Sequence, residues 1–388
     1  MELYVPRFLG LPEQNCFLFG PRGTGKSTFL RNHLPDALWL DLLKPENFRQ
    51  YKAYPERLEE LIQGNPQKKD VVIDEIQRVP ELLPLVHSII EKKQGHRFIL
   101  TGSSARKLKS TGTDLLGGRA IRKTMHPFIL SELPSPPSID ESIQYGLLPI
   151  VYQSADKPAT LDAYVSLYIQ QEVFQESLAR NIGDFSRFLE AISLSHGAVL
   201  NVSNVARDGA VGRKTVDNYI QILEDILLAF RLPVFTKRAS RAMSSHPKFY
   251  FFDAGVFQTL RPRGPLDKPE EIGGAALEGL VAQHLRAWIA YSPDPFTLYF
   301  WRSQRGVEVD FILYGEGGLY AIEVKNSERI RPKDLRGLNE FGKDYPISRR
   351  ILLFRGSERL MKNGILCLPC EEFLAGLFPS KKMSALFD

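Results

Sequence analysis

The chain has 388 residues, 43% hydrophobic and 24% charged, with 50 basic against 45 acidic residues and a net charge of +5. That length holds about two to three domains, and the ordinary composition excludes collagen, extended disorder and a disulfide scaffold. No apolar run nears the ~20 residues of a membrane helix, no basic-then-apolar secretory start is present, and the few cysteines suit reduced thiols, so a cytoplasmic protein with no membrane partner is expected.

Cys16–Phe19 reads as a short strand ending at Gly20, and Thr24–Arg31 as a helix. Ala37–Leu42 follows as a strand, Arg57–Gly64 as a helix and Val71–Ile73 as a buried strand. Leu82–Lys93 carries Leu82, Leu85, Val86, Ile89 and Ile90 at helical spacing, and Phe98–Thr101 is another strand. Short apolar strands alternating with helices predict a parallel sheet covered on both faces. The proline-rich break Leu133–Ser138 closes this domain, 1–133. Residues 134–200 read as a helical lid or linker, 201–263 as a basic helical module, and 264–388 as an α/β domain entered through the loop Gly264–Gly274.

Gly20-Pro21-Arg22-Gly23-Thr24-Gly25-Lys26-Ser27 fits the eight-residue phosphate-loop pattern between a strand and a helix. Glycines let the backbone turn its N–H groups toward phosphate oxygens, and the helix adds the positive end of its dipole. Lys26 is expected on the β- and γ-phosphates of ATP and Ser27 on Mg²⁺, with Thr28 completing the loop. Val71-Val-Ile-Asp74-Glu75 delivers two carboxylates to the carboxyl edge of the sheet, Asp74 for Mg²⁺ and Glu75 as general base. Ile99–Ser104 is a strand ending in small hydroxyls; in an AAA-type sheet it lies beside the Asp74 strand and offers Ser103 or Ser104 to the γ-phosphate. Arg119 is a candidate transition-state cation, for its own site or a neighbour's, and so points to a homo-oligomer.

Residues 201–263 hold ten Lys/Arg (207, 213, 214, 231, 237, 238, 241, 248, 261, 263) against five Asp/Glu. Val202–Arg207, a glycine-containing turn and Arg213–Leu223 resemble a helix-turn-helix. Val216, Ile220 and Leu223 face inward and Arg213, Lys214, Asn218 and Gln221 outward. Ala229–Phe235 and Lys248–Phe252 are candidate wing strands. DNA contact and a packing or oligomerisation role both fit this winged-helix-like module.

In Val307–Leu313, Glu308 and Asp310 share one strand face, and after a glycine-rich turn Glu323 and Lys325 share one face of Leu319–Lys325. The hairpin brings Asp310, Glu323 and Lys325 onto one surface, and Glu278 borders the apolar face of an upstream helix. This order resembles the PD-(D/E)xK nuclease core, in which Glu278, Asp310 and Glu323 would hold Mg²⁺ and Lys325 would orient a water for phosphodiester hydrolysis. Residues 325–363 add 11 Lys/Arg against 5 Asp/Glu, where DNA could approach. Cys367-Leu-Pro-Cys370 has no second pair to complete a zinc site.

Taken together, FLFGPRGTGKST, VVIDEIQRVPEL, ILTGSSARKL, LLGGRA, HPFILSEL, TVDNYIQILED, HPKFYFFDAGV, LEGLV and EVDFILYGEGGLYAIEVK resemble a large group of uncharacterised bacterial and archaeal AAA-type ATPases. The resemblance runs from about residue 15 to about residue 330. It departs at Tyr168–Val173, which is less charged than the group's pattern. It implies a P-loop AAA-type sheet, a winged-helix-like module and a C-terminal restriction-endonuclease-like domain. It further implies ATP and Mg²⁺ as cofactors and roles for Lys26, Ser27, Asp74, Glu75, Glu278, Asp310, Glu323 and Lys325. The expected function is an ATPase coupled to a Mg²⁺-dependent DNA nuclease; the alternative is an ATP-switched DNA-binding or signalling protein with an inert nuclease-like domain and a protein partner yet to be named.

Overall fold

Strands buried on both faces need helices above and below them, and the N-terminal segment meets that condition. In the computed structural model, which describes residues 4–104, 116–169, 173, 181–236, 246–265 and 267–387, five parallel strands form one sheet. These are β1 (Cys16–Phe19), β2 (Leu38–Asp41), β3 (Asp70–Asp74), β4 (Arg97–Gly102) and β5 (Ile121–Thr124). Their spatial order is β2-β3-β4-β1-β5. The phosphate-loop strand β1 pairs with β4, and β4 with β3, so the strand leading to Ser103 lies beside the Asp74 strand as expected. Helices α1 (Lys26–His33), α2 (Pro45–Ala53), α3 (Arg57–Gln63) and α4 (Leu82–Glu91) accompany the sheet. Tyr51, Leu58, Ile62, Leu82, Val86 and Ile89 from the last three pack on Phe17, Leu40, Ile73 and Leu100.

Two elements add to the sequence reading. Pro45 starts α2, where a missing N–H costs nothing. The polar edge strand β5, Ile-Arg-Lys-Thr, has no apolar alternation to betray it.

The chain divides into two compact units, and the division is not at one point. One unit is Leu9–His126 with Asp225–Leu227. The other is Met1–Phe8, Pro127–Glu224 and Leu228–Asp388. Apart from residues 225–227, the segments expected at 134–200, 201–263 and 264–388 therefore lie within one compact body.

In that second unit, α5 (Ile139–Tyr145), α6 (Pro149–Tyr152), α7 (Lys157–Ala163) and α8 (Ile182–Ser193) precede a small sheet. The sheet has the order β6-β8-β7, from β6 (Ala198–Val199), β7 (Ala229–Leu232) and β8 (Lys248–Phe251). Between β6 and β7 lie α9 (Val202–Asp208) and α10 (Arg213–Asp225). In α10 Val216, Ile220 and Leu223 are buried while Arg213, Lys214, Asn218 and Gln221 are exposed, as the sequence pattern predicts. Lys237, Arg238 and Arg241 of the basic count, and Gln170–Glu172, lie outside the described residues.

The larger sheet follows α11 (Ala254–Leu260) and α12 (Pro269–Tyr291). Its strands are β9 (Phe296–Arg302), β10 (Glu308–Gly315), β11 (Gly318–Val324), β12 (Arg349–Phe354), β13 (Leu360–Lys362) and β14 (Ile365–Pro369), with α13 (Arg336–Asp344) before β12 and α14 (Cys370–Ala375) last. The order is β13-β14-β12-β11-β10-β9; β9, β10 and β11 run antiparallel, while β11, β12 and β14 run parallel.

The chain leaving β7 does not stop at the small sheet. Phe235 N–H donates to the Phe300 carbonyl at 2.7 Å, and Phe300 N–H donates to the Pro233 carbonyl at 3.0 Å. The Phe235 ring is fully buried against Tyr299, Tyr314 and Tyr345. The candidate wing is thus built into the core of the C-terminal sheet.

Candidate functional site

The phosphate loop is held open by backbone conformations that favour glycine, with φ of 79° at Gly23 and 86° at Gly25. Gly20 packs where a Cβ would stand 2.6 Å from the Met125 carbonyl oxygen. Thr24 Oγ1 donates to the Pro21 carbonyl at 2.8 Å and staples the turn. Lys26 lies almost wholly inside the loop, and its Nζ donates to the Gly20 and Pro21 carbonyls at 2.7 and 3.2 Å.

The acidic strand end meets this loop directly. Ser27 Oγ donates to Asp74 Oδ2 at 2.7 Å, and the Thr101 hydroxyl donates to the other Asp74 oxygen. Burial pushes the Asp74 carboxyl above its usual range, and these two hydrogen bonds oppose the shift. Glu75 breaks from the strand with φ 62° and ψ 49°, a left-handed conformation that a non-glycine residue adopts rarely. Its N–H donates to Thr101 Oγ1 at 3.0 Å. Gln77 then bridges the site: its Nε2 donates to Glu75 Oε2 and to Ser103 Oγ, the latter at 2.9 Å.

A second group of charged residues gathers in the other unit. Lys248, the first residue of β8, is 1% exposed. Its Nζ lies 2.9 Å from Glu278 Oε1, 2.5 Å from Glu308 Oε1 and 3.1 Å from Asp310 Oδ1. The Tyr250 hydroxyl, two residues along β8, donates to Glu278 Oε1. The remaining Asp310 oxygen accepts the Val324 N–H at 2.9 Å, and Glu308 Oε2 faces Arg302 at 3.4 Å. Lys325 pairs with Glu323 Oε1 at 2.5 Å, leaving the buried Glu323 Oε2 without a partner. Burial works against the Lys248 charge, but Glu278, Tyr250, Asp310 and Glu308 outweigh it and hold the ammonium protonated. Burial, then repulsion from Asp310, pushes Glu278 up to about 7 and Glu323 up to about 8. Among the described residues no group of three or more His, Cys, Asp and Glu side chains is arranged to hold a metal ion.

With both groups located, likeness to known proteins can be placed on them. Residues 13–134 match the AAA domain family. That match spans the phosphate loop and the acidic strand end, so the N-terminal unit is similar to an AAA domain. Residues 137–267 match a domain of unknown function (DUF8612), and residues 273–373 another (DUF4143). Two uncharacterized proteins, from Mycobacterium bovis and Mycobacterium tuberculosis, are each 24% identical over 311 residues, 78% of this chain and 69% of theirs. Among solved structures, AMPPCP-bound DnaA from Aquifex aeolicus is 14% identical with a TM-score of 0.25, covering 55% of this chain and 82% of that one. The protein VC1899 from Vibrio cholerae is 12% identical with a TM-score of 0.22, covering 94% of this chain and 96% of that one.

In the AAA domain the structure brings together Gly20–Ser27, Asp74, Glu75 and Ser103 as the sequence predicts, and Gln77 selects Ser103 over Ser104 as the hydroxyl joined to Glu75. Arg119, the candidate cation for the chain's own site or a neighbour's, lies apart from this group. It precedes β5, whose first residue Ile121 pairs with Cys16 at the start of β1, so in a parallel sheet it sits at the amino edge. That places it about 13 Å along the strands from the loop. There it pairs with Glu91, and its carbonyl accepts from Asn15.

Gln77 carries a role that the sequence reading left unassigned. The signal was its place in the run Asp-Glu-Ile-Gln, two residues beyond Glu75. Gly102 admits it, since a Cβ there would lie 2.7 Å from Gln77 Oε1. In the second unit Glu278 of α12 and Asp310 of β10 meet at Lys248, and Glu323 pairs with Lys325. Of the carboxylates expected to hold a metal, Glu278 and Asp310 thus face Lys248 Nζ together with Glu308, while Glu323 faces Lys325. Neither Lys248 nor Tyr250 was singled out from sequence, since a Lys-Phe-Tyr-Phe strand start carries no acidic or metal-ligating signature.

Proposed function

We propose that this chain is an ATP-hydrolysing AAA switch whose C-terminal, nuclease-like domain does not cut. The observation that carries the first half is the 2.7 Å hydrogen bond from Ser27 to Asp74, which ties the phosphate loop to the acidic strand end. ATP would replace the Gly20 and Pro21 carbonyls as the partner of Lys26, placing the ammonium on the β- and γ-phosphates. Ser27 and Asp74 offer a hydroxyl and a carboxylate, hard oxygen donors of the kind Mg²⁺ takes, and would hold it there. When bound, Mg²⁺ neutralises phosphate charge. Glu75 accepts the proton of the attacking water, and Gln77 keeps Glu75 aligned with Ser103.

The second half follows from the Lys248 contacts. A divalent ion needs the carboxylate lone pairs that Lys248 already engages, so the residues present do not fit Mg²⁺ there and no hydrolytic step is derived for that domain. Nucleic acid would instead meet the exposed α10 face of Arg213, Lys214, Asn218 and Gln221.

ATP hydrolysis by the wild type, Lys26→Ala and Glu75→Gln tests the reading. Lys26→Ala should lose nucleotide binding, and Glu75→Gln should bind ATP but hydrolyse it at least ~100-fold more slowly. Undiminished turnover in Lys26→Ala would refute the site. DNA binding, if it uses α10, should weaken linearly in log affinity against log salt and fall in Lys214→Ala.

A further inference from the structure

We infer that Lys248 is the resident cation of the C-terminal carboxylate cluster, a tethered ammonium that takes the place of a divalent ion and excludes it. The inference rests on the reading of the C-terminal domain as a non-cutting one and adds its cause. Three carboxylates from two elements, Glu278 of α12 with Glu308 and Asp310 of β10, converge on one Nζ within 3.1 Å.

Charge balance supports a closed cluster. Four carboxylates, Glu278, Glu308, Asp310 and Glu323, meet three cations, Lys248, Lys325 and Arg302. Even with all four carboxylates ionised the net charge is only −4 + 3 = −1, and the upward shifts of Glu278 and Glu323 make it less negative still, which leaves little demand for a further dication. A second cation at this point would stand within contact distance of the ammonium and be repelled by it.

The tether makes the arrangement permanent. Lys248 is paired on both flanks, with Val199 of β6 and Leu232 of β7. The next strand residue but one, Tyr250, is fully buried and bonded to the same Glu278 oxygen. The strand pairing fixes the backbone from which the buried Lys248 side chain reaches the cluster. Moving the ammonium out would leave buried carboxylates uncompensated, which is strongly unfavourable.

The test is Mn²⁺ binding to the full chain without nucleotide, read from the loss of the free-ion electron paramagnetic resonance signal. Four proteins are compared: wild type, Asp310→Asn, Lys248→Met and Lys248→Met/Asp310→Asn. Wild type and Asp310→Asn should bind Mn²⁺ alike. Lys248→Met should gain one site at least about tenfold tighter than any in the wild type, lost again in the double variant. A wild-type ion that Asp310→Asn removes would overturn the inference, as would a folded Lys248→Met that gains none. If Lys248→Met does not fold, the wild-type comparison with Asp310→Asn still decides the matter, and Lys248→Arg should fold and stay metal-free. Plasmid cleavage by the wild type, abolished in Asp310→Asn, would sink the non-cutting reading itself. Cleavage absent while Mn²⁺ is bound at Asp310 would sink only the role given to Lys248.

Discussion

Asp253 tests how far a motif residue is structural. It is 1% exposed and caps α11, its Oδ1 accepting from Gly255 N at 2.9 Å and Val256 N at 3.2 Å. Its Oδ2 accepts the Leu147 N–H at 2.9 Å, just past the end of α5. Replacing it by alanine removes an N-cap, about 1 kcal/mol, and strands the buried Leu147 N–H, about 1–3 kcal/mol more. The expected loss is about 2–4 kcal/mol. Asp253→Asn keeps an oxygen for the cap but turns an amide N–H₂ toward Leu147, so it should fall between wild type and alanine. The measurement is urea unfolding followed by tryptophan fluorescence, since Trp288 and Trp301 are buried in the same unit as Asp253. Burial raises the Asp253 carboxyl to about 6, against three backbone N–H groups that lower it. The folded state then binds this proton more tightly than the unfolded state. Its contribution to stability should fall as pH rises from 3.8 to about 6, by up to about 1.4 kcal/mol per pH unit. Asp253→Asn should lack that slope. A loss in Asp253→Ala below about 0.5 kcal/mol, or no difference in pH slope between wild type and Asp253→Asn, would refute this account.

Gly255→Ala should destabilise the same joint by about 1–3 kcal/mol in urea unfolding, because its Cβ would stand 2.2 Å from the Tyr145 carbonyl oxygen. Gln77→Ala should lower ATPase kcat by about tenfold or more while leaving ATP affinity within about threefold, since Gln77 positions Glu75 rather than the phosphates. Arg119→Ala should leave ATP binding unchanged, and any loss of turnover should appear only at protein concentrations where light scattering detects an oligomer. His284 is held neutral by burial, its pKa lowered to about 4, and its Nε2 accepts the Leu130 N–H at 3.0 Å. The unfolded chain takes up a proton near 6.5 that the folded one refuses, so this group's stability is lost as pH falls from 6.5 toward 4. His284→Gln should flatten that limb of a thermal-unfolding profile against pH.

The AAA domain was legible because its physics is local. A glycine loop, a buried strand and an acidic strand end are written contiguously, and the backbone places them once the sheet is parallel. Glu75 follows directly, whereas the choice of Ser103 over Ser104 and the place of Gln77 needed the β3–β4 pairing, which lets one amide reach both Glu75 and Ser103. The second unit hides more, since its key cation comes from another supersecondary piece. Lys248 is 30 residues before Glu278 and 62 before Asp310, and its sequence neighbours are aromatic. Periodicity put the carboxylates on one face and could not say what fills the space before them. The Asp253-Ala-Gly255 run of the resemblance is a joint, because both Asp253 carboxylate oxygens are engaged by backbone N–H groups.

The division of the chain has a practical meaning for anyone wishing to dissect it. Residues 225–227 belong to the AAA domain, yet they interrupt the other unit between α10 and β7. Leu227 packs with the AAA core, and Asp225 ends α10. No single cut liberates either half intact: a fragment ending at residue 133 lacks a piece of its own core, and the complementary fragment carries an orphaned three-residue graft. The chain runs without a break from the helix that bears Arg213 and Lys214 through residues 225–227 to β7, so the two units share a covalent joint at the end of α10.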